Sequence, residues 1–254
     1  MNHWIVVPIV LPAVIAPLIV LAMRHDIVLA RVFSIFSALS LLGLAITLTF
    51  TAAANPPLVY ALGDWPGPFG IVLVLDRLSA LMLLLTAVIG LIVLLYASNG
   101  WDTRGKHFHA LFQFQLMGIN GAFLTGDFFN LFVFFEVLLI ASYGLMVHGG
   151  GADRVKAGVQ YVVVNLVGST LFLLSVGLIY AVTGTLNMAD LALKVPQVAA
   201  GDRALLHAGA LLLLAVFSIK AALVPLHFWL PGTYVRAPAP VAALFAIMTK
   251  VGAY

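Results

Sequence analysis

The stretch from Gly126 to Gly151, GDFFNLFVFFEVLLIASYGLMVHGGG, decides the fold, because it sets Glu136, the only glutamate of the chain, inside an otherwise apolar run. About 20 apolar residues suffice to cross a bilayer as a helix, and an ionisable side chain at its centre costs roughly 2.5 to 3.5 kcal/mol on insertion scales. Something must offset that cost. Two readings stand: a structural ion pair that clamps two helices, and a station in a proton or ion relay.

Working outward, the chain of 254 residues is 63% hydrophobic and 8% charged, with a mean hydropathy of +1.15. A soluble domain carries roughly 25% charged residues, so the sequence predicts a polytopic membrane protein. With about 20 residues per span and short loops, it holds about seven or eight spans in one all-α transmembrane bundle. The net charge of +3 does not point to nucleic acid, since the basic residues are scattered rather than clustered. The absence of cysteine removes disulfides, thiolate metal sites and iron–sulfur clusters. No phosphate loop, dinucleotide fingerprint or metal-ligand spacing appears, so no cofactor and no metal is expected.

Spans are predicted near 4–23, 28–51, 76–98, 108–125, 128–148, 159–182 and from 205, with an eighth apolar run from Val241 that stops at Tyr254, too short to cross and read as truncated. The first lacks a basic residue ahead of it and a small-x-small cleavage site, and reads as a retained helix. Residues 52–70, rich in Pro and Gly with Asp64-Trp65-Pro66-Gly67-Pro68, form a connection with one acid and no base. Gln113, Gln115 and Asn120 mark the fourth span as facing protein or water. Asn187 and Asp190 cap a short interfacial helix within NMADLALKV. In the seventh span, Pro225 removes a backbone donor and crowds the preceding turn, which predicts a broken helix at Val224-Pro225. Arg24, Arg31, Arg104, Lys106, Arg154, Lys156 and Arg236 then sort to one face, and Arg77, Lys194 and Arg203 to the other. The positive-inside rule makes the first face cytoplasmic and puts the N-terminus outside.

Every aspartate falls in a loop or at a helix end, which leaves Glu136, Lys220 and Lys250 as the charges within the membrane. Glu136 and Lys220 at similar depth would form a pair in which desolvation and attraction nearly balance, as a proton switch requires. Lys250 would be the next station, all three sharing one dry layer. A static Glu136–Lys220 clamp is the alternative, and it leaves Lys250 unexplained. His227, just after Pro225, is a candidate proton shuttle.

These residues carry a resemblance. Phe135-Glu136, the run Ser218-Ile219-Lys220-Ala221-Ala222 leading to Pro225-Leu226-His227-Phe228-Trp229-Leu230-Pro231-Gly232, and Thr249-Lys250-Val251-Gly252 resemble the antiporter-like subunits shared by respiratory complex I and the Mrp-type multisubunit cation/proton antiporters. Trp229-Leu230-Pro231-Gly232 followed by Thr233-Tyr234-Val235-Arg236-Ala237-Pro238 is similar to the pattern of the Mrp D subunits; complex I relatives usually carry an acid where Gly232 stands. The resemblance implies about fourteen helices with two inverted five-helix repeats. Residues 1–107 would hold helices 1–3 and residues 108–254 the first repeat, lacking its end, with the second repeat absent. It also implies that Glu136 and Lys220 form the proton-translocating pair, Lys250 the central-axis lysine and His227 the histidine of the broken helix. The function implied is a proton-translocating subunit of a Na+ or K+/proton antiporter in the bacterial cytoplasmic (inner) membrane, working with other subunits on protons and monovalent cations. The alternative is a proton-pumping membrane subunit of NADH:quinone oxidoreductase.

Overall fold

The computed structural model describes residues 3–23, 25–65 and 67–254. Arg24, sorted above with the basic face, and Pro66, in the connection before the third span, lie outside the described residues. Among the described residues the elements run α1 (Val7–Ala22), α2 (Ile27–Ala54), β1 (Leu58–Ala61), β2 (Val72–Leu75), α3 (Arg77–Ala97), α4 (Phe108–Leu124), α5 (Phe128–Met146), α6 (Ala152–Thr183), α7 (Met188–Lys194), α8 (Arg203–Lys220), α9 (Trp229–Arg236) and α10 (Ala239–Ala253). Helices α2, α3, α5, α6 and α8 are long and apolar enough to cross a membrane, and α1 and α10 are shorter apolar helices. The chain is a polytopic transmembrane helical bundle.

Polar side chains start these helices by satisfying their free amides. Asp26 accepts from the amides of Val28 and Leu29, Asp127 from Asn130, and Asn187 from Ala189 and Asp190. Asp76 and Ser79 form a reciprocal capping box at α3. Asp26, Asp76 and Asp127 therefore lie where backbone donors need them, and Asn187 caps α7 as expected, whereas Asp190 lies inside the first turn of α7 and pairs with Lys194 at 2.9 Å instead of capping it.

Helix α4 runs through the middle of the bundle, packed on α1 and α5 and almost wholly buried. Asn120 and Gln113 join it to its neighbours. Pro12 cannot supply the amide that would bond the Pro8 carbonyl one turn back, and the Asn120 side chain donates to that carbonyl instead, at 2.9 Å. Gln113 accepts from Ser37 at 2.9 Å and donates to the Ser34 hydroxyl at 3.1 Å, which fastens α4 to α2. Gly118 brings α5 close: a Cβ there would lie 2.6 Å from the backbone nitrogen of Leu138, the small-residue contact by which membrane helices approach.

Two features differ from the sequence expectation. The connection after α2 contains an antiparallel hairpin, Leu58↔Leu75 through Ala61↔Val72, extended by the Gly126 amide bonding to the Val72 carbonyl and the Met188 amide bonding to the Gly126 carbonyl, at 3.0 and 2.9 Å. Helix α6 begins at Ala152, a full two turns before the expected start, because Arg154 and the residues after it are held over the α5 end rather than left as linker.

These contacts also sort the loops. The hairpin, the α4–α5 turn and the segment before α7 meet on one face, where His3 also contacts the Tyr60 hydroxyl. On the opposite face Arg31, Asp102, His148, Arg154 and the Arg236 carbonyl form one connected set.

Candidate functional site

The position of Glu136 follows from the α4 contact. Helical residues advance by 100°, so with Phe134 and Leu138 turned toward α4, Glu136 points to the other side of α5. Phe135 beside it meets Phe172 of α6, ring centroids 6.1 Å apart. Glu136 is half-buried, and its Oε1 is fully enclosed without a hydrogen-bond partner among the described residues.

Lys220 is the last residue of α8. The helix ends there because Pro225 lacks the amide for the carbonyl one turn earlier and keeps Val224 out of the helical region. Residues 221–228 are irregular, with Ala222 at φ +53°, and α9 resumes at Trp229. The expected broken helix is therefore present, its first half ending several residues before the proline. Lys220 is only 5% exposed. Its Nζ donates to the Ser169 hydroxyl at 3.2 Å and the Asn165 carbonyl at 3.4 Å, and lies 5.5 Å from the Phe135 ring centroid. A helix C-terminus is also a favourable place for a cation.

Glu136 and Lys220 are not in direct contact: among the described residues no ion pair joins them, although the carboxylate acts electrostatically on the ammonium. A buried ammonium held by neutral oxygens, with a carboxylate beyond its contact shell, is a loose arrangement. It is unlike a clamp, in which opposite charges touch.

Lys250 departs from the single dry layer expected. Val241, Leu244, Phe245, Met248 and Val251 turn inward, so Lys250, between two of them in sequence, is carried to the exposed flank of α10. Its helix nevertheless reaches the break, since a Cβ at Gly252 would lie 2.7 Å from the Ala221 nitrogen and 2.9 Å from the Lys220 carbonyl carbon. His227 is exposed in the irregular segment, and no side-chain partner is found for it among the described residues. The structure thus brings Glu136 and Lys220 into one neighbourhood, with α10 against it, and leaves His227 and the Lys250 side chain outside it. Among the described residues no cluster of His, Asp and Glu is arranged to hold a metal ion.

Sequence reasoning missed a second charged cluster. Asp102 is buried, bound by Arg31 through Nε–Oδ2 at 2.6 Å and Nη2–Oδ1 at 2.8 Å, and by His109 Nε2 at 3.0 Å. Burial pushes the Asp102 carboxyl up, but the hydrogen bonds from Arg31 and His109 outweigh it and hold the group below the usual carboxylate range. Nearby, His148 Nε2 contacts the Trp101 carbonyl at 2.9 Å, and burial lowers the affinity of this imidazole for a proton. Arg154 donates to the His148 and Arg236 carbonyls at 2.7 and 2.9 Å, tying the end of α5 to the end of α9. The one signal in the sequence is Asp102 seven residues before His109 at the start of a span.

Comparison with known proteins adds relatives to this geometry. The family described as NADH:quinone oxidoreductase/Mrp antiporter, TM matches residues 125–254. The D subunit of a probable K(+)/H(+) antiporter of Rhizobium meliloti (strain 1021) is 49% identical over 100% of this chain and 48% of its own length. The D subunit of a Na(+)/H(+) antiporter of Bacillus subtilis (strain 168) is 44% identical over 100% of this chain and 52% of its own length. A chain in the structure of the Mrp complex from Dietzia sp. DQ12-45-1b superposes with a TM-score of 0.89 at 33% identity, covering 99% of this chain and 47% of that one. The chain spans about half the length of the curated relatives it matches.

Proposed function

Because the chain belongs to the NADH:quinone oxidoreductase/Mrp antiporter transmembrane family, we propose that it is a proton-translocating part of a multisubunit monovalent cation/proton antiporter, acting through Glu136 and Lys220. The observation that carries this reading is the buried Lys220 ammonium at the helix break, held by Ser169 and Asn165 with Glu136 near but not touching. A proton leaves or joins such a group through a small side-chain movement, because no contact ion pair has to be broken first. Lys250, on the flank of the helix that packs against the break, takes the proton onward, and His227 serves the irregular segment at its exposed side. In this reading residues 1–107 supply three helices ahead of a five-helix repeat that begins at residue 108.

Orientation follows from the two loop faces. The face built around Asp102 carries Arg31, Arg104, Lys106, Arg154, Lys156 and Arg236, and the hairpin face carries Arg77, Lys194 and Arg203. The positive-inside rule assigns the first to the cytoplasm of a bacterial inner membrane and puts the N-terminus outside. The relatives named as Na(+)/H(+) and K(+)/H(+) antiporter subunits support sodium or potassium as the exchanged ion and other subunits as partners. Gly232, where complex I relatives usually carry an acid, favours antiport over a pump driven by electron transfer.

The test is proton movement in vesicles carrying the assembled complex, driven by a sodium or potassium gradient, with no NADH or quinone present. Cation-dependent movement is expected. Movement that appears only when electrons flow would replace this reading with that of an NADH:quinone oxidoreductase membrane subunit.

A further inference from the structure

Trp229 opens α9 on the far side of the break from Lys220, and it is 4% exposed. A buried indole must find an acceptor for its N–H. Trp229 Nε1 donates at 3.0 Å to the carbonyl of Ile219, the residue immediately before Lys220. That carbonyl already accepts from the Ala222 amide at 3.1 Å. Two donors therefore fix the peptide plane from which the Lys220 side chain departs.

The indole is itself held. Its ring lies against Tyr161, centroids 5.6 Å apart. The Ser142 hydroxyl reaches the Leu139 carbonyl at 2.6 Å and shares a 2.8 Å hydrogen bond with the Tyr161 hydroxyl, in which either oxygen can donate. Tyr161 is thereby tied to α5, the helix that carries Glu136. One turn further along α6, Asn165 donates to the Tyr161 carbonyl at 2.9 Å and offers its own carbonyl to Lys220. One connected unit thus holds the Lys220 backbone at one end and an acceptor of its ammonium at the other.

We infer that Trp229 is a positioning residue for Lys220: its indole N–H splints the broken helix and fixes where the ammonium stands relative to Ser169, Asn165 and Glu136. The inference rests on the reading of Lys220 as a proton carrier. The ionisable groups nearest this unit are Glu136 and Tyr143 from α5, Tyr161 from α6 and Tyr234 from α9. Helix α10 presents Gly252 to the break with Lys250 turned to the outer flank, and α9 carries its Arg236 at the far end, beside Arg154. Trp229 itself carries no ionisable group, so a change in the proton affinity of the site when it is altered reports position.

The experiment replaces Trp229 with benzothienylalanine, which keeps the ring shape and exchanges N–H for sulfur, and in parallel makes Trp229→Phe, both in the full complex in vesicles. The isostere is expected to assemble in normal amount, lower cation-driven proton movement about tenfold and shift its pH midpoint by about half a unit or more. Unchanged rate and midpoint, or a reduced amount of complex with an unshifted midpoint, would overturn the inference and leave Trp229 as packing. Lys220→Ala separates the two layers. If it abolishes movement while the isostere changes nothing, only the splint fails; if it leaves movement intact, the proton-carrier reading fails with it.

Discussion

Gly252→Ala tests how tightly α10 must sit against the helix break. The added methyl would lie 2.7 Å from the Ala221 nitrogen and 2.9 Å from both the carbonyl carbon and the Cβ of Lys220. Ordinary contact begins at 3.4 Å, so the surfaces must part by about 0.7 Å, the difference between 3.4 and 2.7. Two of the three obstacles are backbone atoms, which no rotamer change relieves. Either α10 moves outward, taking Lys250 with it, or the peptide that carries Lys220 shifts. Forced overpacking of this kind costs about 1 to 3 kcal/mol. If that strain falls on the proton-transfer geometry, the rate drops roughly 5- to 150-fold. Cation-driven proton movement in vesicles, normalised to assembled complex on native gels, reads the effect. Wild-type rate together with a wild-type unfolding temperature would refute the claim that this contact sets the site.

Two other predictions concern the face built around Asp102. Arg31→Ala leaves the buried Asp102 without its bidentate partner and should cost about 3 to 5 kcal/mol, seen as a lower thermal unfolding temperature in detergent, with Arg31→Lys intermediate because it restores charge but not the fork. Acidification should also destabilise the fold in two stages. His148 has a depressed folded value, so its contribution is complete above the unfolded value near pH ~6.5 and is lost as the pH falls through the folded one; Asp102, likewise depressed, follows below about pH 4. Unfolding temperature against pH checks the order: His148→Gln should shrink the first stage, and a curve unchanged by that substitution would contradict it.

The spans are legible in the sequence because bilayer thickness imposes a length on apolar runs, and Glu136, Lys220 and the Pro225 break stand out against such runs by chemistry alone. The hairpin is not, because Leu58–Ala61 and Val72–Leu75 are short apolar stretches, and the bonds that extend it come from Gly126 and Met188, far away in sequence. Asp102 reads as a loop charge. Its burial depends on Arg31 reaching across from α2, which no local pattern encodes. Helix α10 is apolar nearly all round, so sequence shows that Lys250 lies on it but not which way the side chain points; the packing of Leu244, Met248 and Val251 decides that. In the same way the sequence suggests Glu136 and Lys220 as a contact pair, and the structure instead gives the Lys220 ammonium to neutral oxygens on α6.

The most direct test is cation-gradient-driven proton movement in vesicles bearing the complex with Glu136→Gln or Lys220→Ala, each checked for insertion and assembly. Both variants should insert and assemble normally while proton movement falls to the level of empty vesicles. Wild-type movement in both would show that neither the carboxylate on α5 nor the ammonium at the end of α8 carries the proton.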